Sequence, residues 1–448
     1  MAFVAAFYAI GLAASARVSR VKNASDYTVA DRKAGTLSVA GVIMGSLVAG
    51  GSTIGTVEMA YAGGFSAWWF TLGSGFGCAL LGLGFARPLR RLGLSTLPEL
   101  IEKNYGYRTA LVTMIGSILG SLLSVVTQFQ AGTALIRSVF PISRTSAILL
   151  ISVLILSFIL LGGLKSYSML GNFKTCALYL MLISCCAICA VSGQTPAALV
   201  HDLPTTPWFN PFAFSIVREL SSCFSLVLGI VCTQIYTQGV FAAADEETAR
   251  RGCLTAAALI PPLGLLAIWI GLAMRNAGIE VEPAQALPYF LMHRFHPILG
   301  GVLWATLAIA IVGGAAGLCL GVATNFSLDI FLRFARVSRD DRRVLTASRA
   351  SVLLAVAICA LLGLSFRSVY ILQLSYVGLG LRATGMVFLI AAAVFKPGLI
   401  SPRKAFVSAV SGILSMLAVW LFVPQIDALI AGLLCAFVPL IAVRDERK

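Results

Sequence analysis

The stretch Gly41–Gly64 reads GVIMGSLVAGGSTIGTVEMAYAGG and combines membrane-helix length with a polar, flexible centre. Gly50 and Gly51 are adjacent in its middle, and the hydroxyl residues Ser52 and Thr53 follow them. Glycine inside a helix costs about 1 kcal/mol relative to alanine. Close packing of small residues is one explanation for such glycines, but it accounts less well for an adjacent pair followed by two hydroxyls. We therefore favour a broken helix that lines a site.

The composition of the whole chain agrees with a lipid environment. Of its 448 residues, 59% are hydrophobic and only 11% are charged, whereas a soluble domain carries roughly 25% charged residues. The run Ala147–Leu161, AILLISVLILSFILL, is apolar on every face and does not alternate. A membrane strand would alternate over about 10 residues, and a membrane helix needs about 20 apolar ones. The sequence predicts an all-α integral membrane protein.

Hydrophobic runs predict about thirteen transmembrane helices. We place them near 1–16, 36–61, 67–86, 109–136, 146–163, 169–192, 212–241, 254–274, 298–332, 350–366, 368–395, 405–423 and 426–443. The first resembles a signal peptide in its LAASA end, but the basic segment that begins a signal peptide is missing. We favour a true first helix.

Basic residues divide unevenly between the two sets of loops. One set of alternate loops holds 25 of the 33 Lys and Arg residues, the opposite set holds 6, and Lys174 and Arg382 fall inside predicted helices. The positive-inside rule then puts the N-terminus outside and the C-terminus in the cytoplasm, as in a bacterial-type inner (plasma) membrane. The net charge of +15 is explained by this topology, and no nucleic-acid partner is expected.

A second interrupted helix occurs five helices after the first. Leu226–Phe241 reads LVLGIVCTQIYTQGVF and places Gln234, Tyr236 and Gln238 deep in an apolar run. Interrupted helices at corresponding positions of two halves indicate an inverted-repeat transporter with its site at the membrane midplane.

Several short motifs are similar to those of the sodium:solute symporter family and occur in the family's order over about residues 25–400. They are Ser25–Lys33 (SDYTVADRK), Ile54–Ser66 (IGTVEMAYAGGFS), Thr96–Leu100 (TLPEL), Gly162–Lys165 (GGLK), Gln234–Arg251 (QIYTQGVFAAADEETARR) and Ala323–Phe331 (ATNFSLDIF). The resemblance implies a LeuT-like fold of two inverted five-helix repeats, at 36–192 and 212–395. One extra helix, 1–16, precedes them and two, within 403–443, follow. It also implies a secondary active symporter that moves a small organic solute by alternating access, and we expect it to function as a monomer.

The resemblance places the family's sodium site on five positions of this chain. The carbonyl oxygens fall at Gly45, Val48 and Ala310, and the two hydroxyl positions fall at Gly313 and Gly314, which have no side-chain oxygen. Hard cations bind about six oxygen ligands. Three carbonyls are a thin shell, so the sequence predicts a degenerate sodium site.

The fifth core helix departs from the family as well. Where the family commonly has Thr-Asp and then Gln, this chain reads Leu170-Gly171-Asn172-Phe173-Lys174. The Lys174 ammonium could stand where sodium would bind, as in proton-coupled relatives of the same fold, because a buried lysine can exchange a proton. Alternatively, Lys174 extends to the lipid headgroups. The coupling ion, Na⁺ or H⁺, is left open.

Arg382 lies near the middle of a predicted helix, where a charge costs several kcal/mol. We expect it to face the interior and to meet a carbonyl cluster, Glu58 or an anionic solute, and an anion is the favoured ligand. Trp68, Trp69 and Phe70 are interpreted as an interfacial belt, although the family resemblance implies an outer gate in this vicinity. The predicted substrate path comprises Ser46, Gly50, Gly51, Ser52, Thr53, Gln128, Gln234, Tyr236, Gln238 and Arg382.

Other functions fit the sequence less well. A transporter-like solute sensor is a remote alternative, and a channel would want a repeated filter motif. We expect no enzyme, no cofactor and no resident metal, because no nucleophile–base pair, phosphate loop or metal-ligand cluster is found. The solute itself is not identified, since one framework of this family carries many kinds of solute.

Overall fold

The computed structural model describes residues 32–161, 164–331, 342–366 and 369–442. Within these ranges the chain is helical, apart from loops and one isolated bridge between Ala34 and Ala243. The helices are α1 Thr36–Leu47, α2 Thr56–Gly63, α3 Trp68–Leu80, α4 Ala86–Arg91, α5 Leu97–Tyr105, α6 Tyr107–Arg137, α7 Arg144–Leu161, α8 Leu164–Val191, α9 Pro196–Asp202, α10 Ile216–Val231, α11 Gln234–Ala242, α12 Glu246–Asn276, α13 Ala286–His293, α14 Pro297–Thr324, α15 Arg342–Ser365, α16 Ile371–Phe395, α17 Pro402–Phe422 and α18 Ala428–Ala442. Short π-helical turns occur at Gly51–Gly55, Leu81–Phe85 and Asn325–Phe331, 3₁₀ turns at Gly64–Ala67 and Pro283–Gln285, and a four-residue helical segment at Thr205–Trp208.

The described residues confirm an all-helical membrane protein. Eight of their helices are long and apolar enough to cross a membrane, or nine if α10 and α11 are counted as one bent helix. Three shorter apolar helices lie at Thr36–Leu47, Arg144–Phe158 and Ala428–Ile441. The predicted first helix, 1–16, lies outside the described residues, so the number thirteen stays a prediction.

The core of the protein is α14. Its membrane-length window is buried on every side, which fits a helix that is apolar all round. Glycines let other pairs of helices approach each other to backbone contact. A Cβ on Gly171 of α8 would lie 1.9 Å from the Gly41 carbonyl oxygen of α1, and one on Gly120 of α6 would lie 2.3 Å from the Gly378 oxygen of α16. Backbone contact through small residues is the usual basis of helix packing in lipid.

Arginine residues hold several elements together at one end of the bundle, which we call the basic end. Arg87 and Arg91, in α4, form ion pairs of 2.6 and 2.8 Å with Glu247 and Glu246 at the start of α12. The neighbouring Arg90 donates to the Ala243 carbonyl at 2.6 Å. These contacts join α4 to the start of α12. Asp245 caps α12, and the Thr248 N–H that it accepts lowers the pKa of its carboxyl.

Candidate functional site

The first interrupted helix breaks between α1 and the π-turn Gly51–Gly55. Val48 leaves the helical conformation, with φ −88° and ψ 82°, and the next two N–H groups lose their helical acceptors. The Ala49 N–H donates to Ser52 Oγ at 2.9 Å, and the Gly50 N–H donates to Gln128 Oε1 of α6 at 3.0 Å. A helix break inside an apolar bundle requires polar acceptors for the N–H groups that it frees. Ser52 and Gln128, both predicted from the sequence as polar residues of the path, are the acceptors here.

Glycine is required here by close packing as well. A Cβ on Gly50 would lie 2.5 Å from the Ala131 side chain, and one on Gly314 would lie 2.4 Å from that of Ala49. The family's hydroxyl position at Gly314 is thus filled by the neighbouring helix. A serine could not be accommodated there without moving α1 away from α14.

Lys174 lies in the predicted sodium site. Its Nζ donates to the carbonyl oxygens of Gly45, a short contact, and Ala310, at 3.1 Å. A Cβ on Gly313 would lie 3.5 Å from the same nitrogen. The side chain of Lys174 is 1% exposed, so the alternative in which it extends to lipid headgroups is wrong. Among the described residues, no carboxylate forms an ion pair with it.

The surroundings of Lys174 fix α8 against α1. Ser46 and the Tyr167 hydroxyl form a hydrogen bond of 2.6 Å, and Ser168 donates to the Ser38 carbonyl at 2.8 Å. Ser46 is therefore bonded within a helix interface instead of facing an open path. The ammonium is held between helices that pack too closely to admit an acidic side chain at Gly171.

Arg382 is buried completely and donates hydrogen bonds to its own helix and to two other parts of the chain. Its Nε donates to the Gly378 carbonyl of its own helix at 2.9 Å, and Nη1 donates to Thr233 Oγ1 in the second break at 2.8 Å. Nη2 donates to the Gly120 carbonyl, at 3.2 Å, and to Ser124 Oγ. The carbonyl cluster that we expected among its partners is thus present, together with the hydroxyls of Thr233 and Ser124. Glu58 instead accepts the Ile371 N–H at 3.0 Å.

The second break separates α10 from α11 at Cys232 and Thr233 and bends the helix axis by 41°. Tyr236 is buried behind it, and Gln238 donates to Thr324 Oγ1 at the end of α14, at 3.3 Å. The predicted role of Gln234 as a residue of the substrate path is not supported. Its side chain bonds the Leu97 N–H and the Ser95 carbonyl at the basic end, at 3.0 and 3.2 Å.

Successive turns of α6 bind Arg382 and the first break. Ser124, which binds Arg382, precedes Gln128, which binds the break, by one turn, or about 6 Å of rise. Between them, Ser375 of α16 donates to Thr127 Oγ1 at 3.0 Å. The two interrupted helices are thus joined by a column of polar contacts along α6 and α16, with Arg382 nearer the basic end.

Aromatic residues that the sequence did not assign to the site close its opposite end. The Phe70 ring is buried and would lie 3.1 Å from a Cβ on Gly51. It also packs edge-on against Tyr376 at a centroid distance of 5.9 Å. The interfacial-belt interpretation is wrong for Phe70, because it is packed against the first break. Trp68 and Trp69 are tied to the carbonyls of Pro261 and Pro211.

The fold is shared with solved transporters. A Na⁺-coupled sialic acid symporter in a substrate-bound, outward-open state matches with a TM-score of 0.82 at 17% identity, covering 98% of this chain and 96% of the other. MHP1, a nucleobase-cation-symport-1 family transporter in a closed conformation with bromovinylhydantoin bound, matches with a TM-score of 0.61 at 14% identity, covering 94% of each chain. The described helices and their two central breaks therefore have the LeuT-like fold.

The sequence comparisons give the family. The model of the sodium:solute symporter family matches residues 27–412, and the chain belongs to that family, whose members are transporters and not enzymes. The high affinity choline transporter 1 of Homo sapiens is 23% identical over an alignment of 342 residues that covers 72% of this chain and 59% of the relative. The osmoregulated proline transporter OpuE of Bacillus subtilis (strain 168) is 22% identical over an alignment of 381 residues that covers 80% of this chain and 75% of that one. The chain thus spans about six tenths of the human choline transporter that it matches.

Proposed function

We propose that this chain is a secondary active transporter of a small organic solute in which the Lys174 ammonium occupies the position of the coupling sodium ion. The observation that carries the proposal is the pair of bonds from Nζ to the Gly45 and Ala310 carbonyls. These are two of the three carbonyl positions that the family resemblance assigns to sodium. A cation is already present there, so a sodium ion would be repelled and would have no room.

The ends of the bundle fit one state of an alternating-access cycle. The basic end is closed by the α4–α12 ion pairs and by the Gln234 side chain. A cleft of about 690 Å³ lies between α10, α16 and α17, and the Phe70–Tyr376 pair separates it from the first break. We assign the basic end to the cytoplasm of a bacterial-type plasma membrane. The inverted repeats 36–192 and 212–395 would supply the moving parts, in a monomer.

Two coupling schemes are compatible with the family. In one, Lys174 binds and releases a proton in the course of the cycle, and the empty carbonyls recapture the ammonium when it is protonated. In the other, transport uses Na⁺, but the ion binds away from the Gly45 and Ala310 carbonyls. The chain is then a sodium:solute symporter in which the site at these carbonyls is degenerate. The absence of a carboxylate partner for Lys174 among the described residues favours the first, because a lysine without an ion pair loses its charge more readily.

The charge of the transported solute is the least constrained element of the proposed function. The prediction of an anionic solute depended on a free guanidinium at Arg382, but each nitrogen of that group already donates to a protein acceptor. The relatives carry names of choline and proline transporters, which favours a solute with a quaternary or secondary amine.

The test is uptake into proteoliposomes. Thermal shifts of the purified chain with choline, proline, sugars and carboxylates would first select a radiolabelled solute, because a bound ligand stabilises the native state. We expect uptake to continue when potassium replaces all sodium, and to respond to an imposed proton gradient. Uptake that requires sodium in the wild type and in Lys174→Met alike would exclude the proton scheme, and sodium bound at the Gly45 and Ala310 carbonyls of the wild type would overturn the proposal.

A further inference from the structure

The cleft lies at the end of the bundle opposite the basic end, and charged side chains line it. Its walls come from α10, α16, α17 and the start of α18, and it contains two carboxylates and one guanidinium, those of Glu219, Asp427 and Arg218. Its volume of about 690 Å³ lies within the range of about 300–1,000 Å³ that small-molecule sites occupy. Neither the family model nor the sequence motifs assign these residues a role.

Glu219 is the most unusual group of the cleft. Its side chain is only 5% exposed, yet it neither accepts a hydrogen bond nor forms an ion pair with any described residue. A buried carboxylate without a hydrogen bond is costly, and the neighbouring Arg218 guanidinium acts on it only through the longer-range electrostatic attraction. Its place in the lining means that a molecule in the cleft could bind it.

The other two charged groups already have partners. Asp427 accepts the Ser221 hydroxyl at 2.7 Å and the Ile430 N–H at 3.0 Å, so it fixes the start of α18. Arg218 is exposed at the rim, and its guanidinium lies over the Phe214 ring at 4.5 Å from the centroid. The two carboxylates give the cleft a net formal charge of −1, and Glu219 is the one that a ligand can neutralise.

Aromatic and thioether groups complete the lining near these charges. Tyr376 and Trp420 are half-buried in the cleft wall, and Met59 and Met416 lie beside them. Aromatic faces attract cations, and quaternary ammonium groups are the ligands most often held in this way. Sodium would be a poor occupant, because the cleft is far larger than an ion and offers it a single unoccupied carboxylate.

We propose that this cleft binds a small organic cation, an amine or quaternary ammonium compound, through Glu219. Tyr376 is shared between the cleft and the contact with Phe70, so a cation bound there lies directly outside the first break. That the bound cation is the transported solute rests on the proposed function. The binding itself does not, because no residue of the Lys174 site takes part.

The experiment is a titration of the purified full chain in detergent with tetramethylammonium chloride, read as the midpoint of thermal unfolding. Sodium chloride at equal ionic strength and neopentyl alcohol, which has a similar shape and no charge, serve as reference ligands. We expect saturable stabilisation by tetramethylammonium alone. In Glu219→Gln the apparent Kd should rise by about tenfold or more, because a close, desolvated charge contact is lost.

Two further variants separate charge from packing. Ser222→Ala, on the same helix and in the same cleft, should bind as the wild type does, and Trp420→Leu should bind several-fold more weakly. Unchanged affinity in Glu219→Gln, or equal stabilisation by neopentyl alcohol or sodium, overturns the proposal. Lys174→Met should retain the binding, so a failed sodium-replacement experiment and a failed cation site are told apart.

Discussion

Lys174 and Arg382 are both buried, both cationic, and without a carboxylate partner among the described residues, yet their surroundings differ. Lys174 holds two backbone carbonyls of α1 and α14 with a single nitrogen. Arg382 spreads its bonds over the break at Thr233 and over α6 and its own helix. An ammonium is a compact point charge that can lose its proton, whereas a guanidinium is a rigid fork that stays charged.

The difference separates a site for an ion from a structural clamp. The acceptors of Lys174 are those that would also bind a metal cation, and they exist without the lysine. The acceptors of Arg382 come from three elements that meet only if the second break, α6 and α16 are in this arrangement. We therefore expect changes at Arg382 to affect the fold most, and changes at Lys174 to affect the identity of the bound ion.

The largest effect is expected for Arg382→Lys. One ammonium cannot reach the Gly378, Gly120 and Thr233 acceptors together, and each lost bond to a buried charge costs about 1.5–3 kcal/mol. The free energy of unfolding should fall by about 3–5 kcal/mol, as when a buried charge loses a partner. Equilibrium unfolding in mixed micelles measures it.

The control for this variant is Arg275→Lys, at the end of α12, where the guanidinium lies over the rings of Trp208 and Tyr61. It should lose about 1 kcal/mol or less, since contacts of this kind at exposed sites are weak. Similar losses in the two variants would mean that Arg382 is not a clamp.

A smaller effect is expected for Lys174→Met. Methionine fills a similar volume, but it leaves the Gly45 carbonyl without its partner, which costs about 1–3 kcal/mol. The exposed Lys103, changed to methionine, is the matched control and should differ from wild type by less than about 0.5 kcal/mol. Equal stability of the two variants would show that the Lys174 bonds contribute nothing.

Sodium can then be offered the vacated position. In Lys174→Ala with Gly313→Ser, a hydroxyl replaces part of the removed side chain, and the serine Cβ lies 3.5 Å from the former Nζ position. Sodium at about ten times its Kd should then stabilise the protein by about 1.4 kcal/mol relative to potassium. Lys174→Met, where the space stays filled, should show no such preference. If neither variant distinguishes sodium from potassium, these carbonyls are not an ion site.

Much of this contrast could be predicted from the sequence. The apolar runs predict the helices, and a charge in the middle of such a run must turn inward, which located Arg382. The Gly50–Gly51 pair with its hydroxyls predicted the first break, and the family resemblance suggested Lys174 as the group that stands where sodium would bind. These predictions use properties of single residues and of local spacing.

The remaining features depend on contacts between distant segments. Gln234 looked like a path residue, but its partners are Ser95 and Leu97, more than 130 positions away. Phe70 looked interfacial because two tryptophans precede it, and only the approach of Gly51 and Tyr376 shows it to be buried. A polar or aromatic residue in a membrane helix has several acceptable partners, and the sequence does not choose among them.

The smallest effect that we expect concerns one acceptor of Arg382. Thr233→Val keeps the shape of the side chain and removes the hydroxyl that receives Nη1 and that itself donates to the Gly229 carbonyl at 2.6 Å. The loss should be about 1 kcal/mol, the typical net value of one hydrogen bond. Thr237→Val is the matched control, because among the described residues the Thr237 hydroxyl bonds only carbonyls of its own turn, those of Thr233 and Gln234. If both variants lose the same amount, the Arg382–Thr233 bond adds nothing beyond a local helix bond, and the clamp consists of the α6–α16 contacts alone. If only Thr233→Val is destabilised, the second break is held to α6 through Arg382, and any opening of the basic end that moves α11 away from α6 must first break that bond.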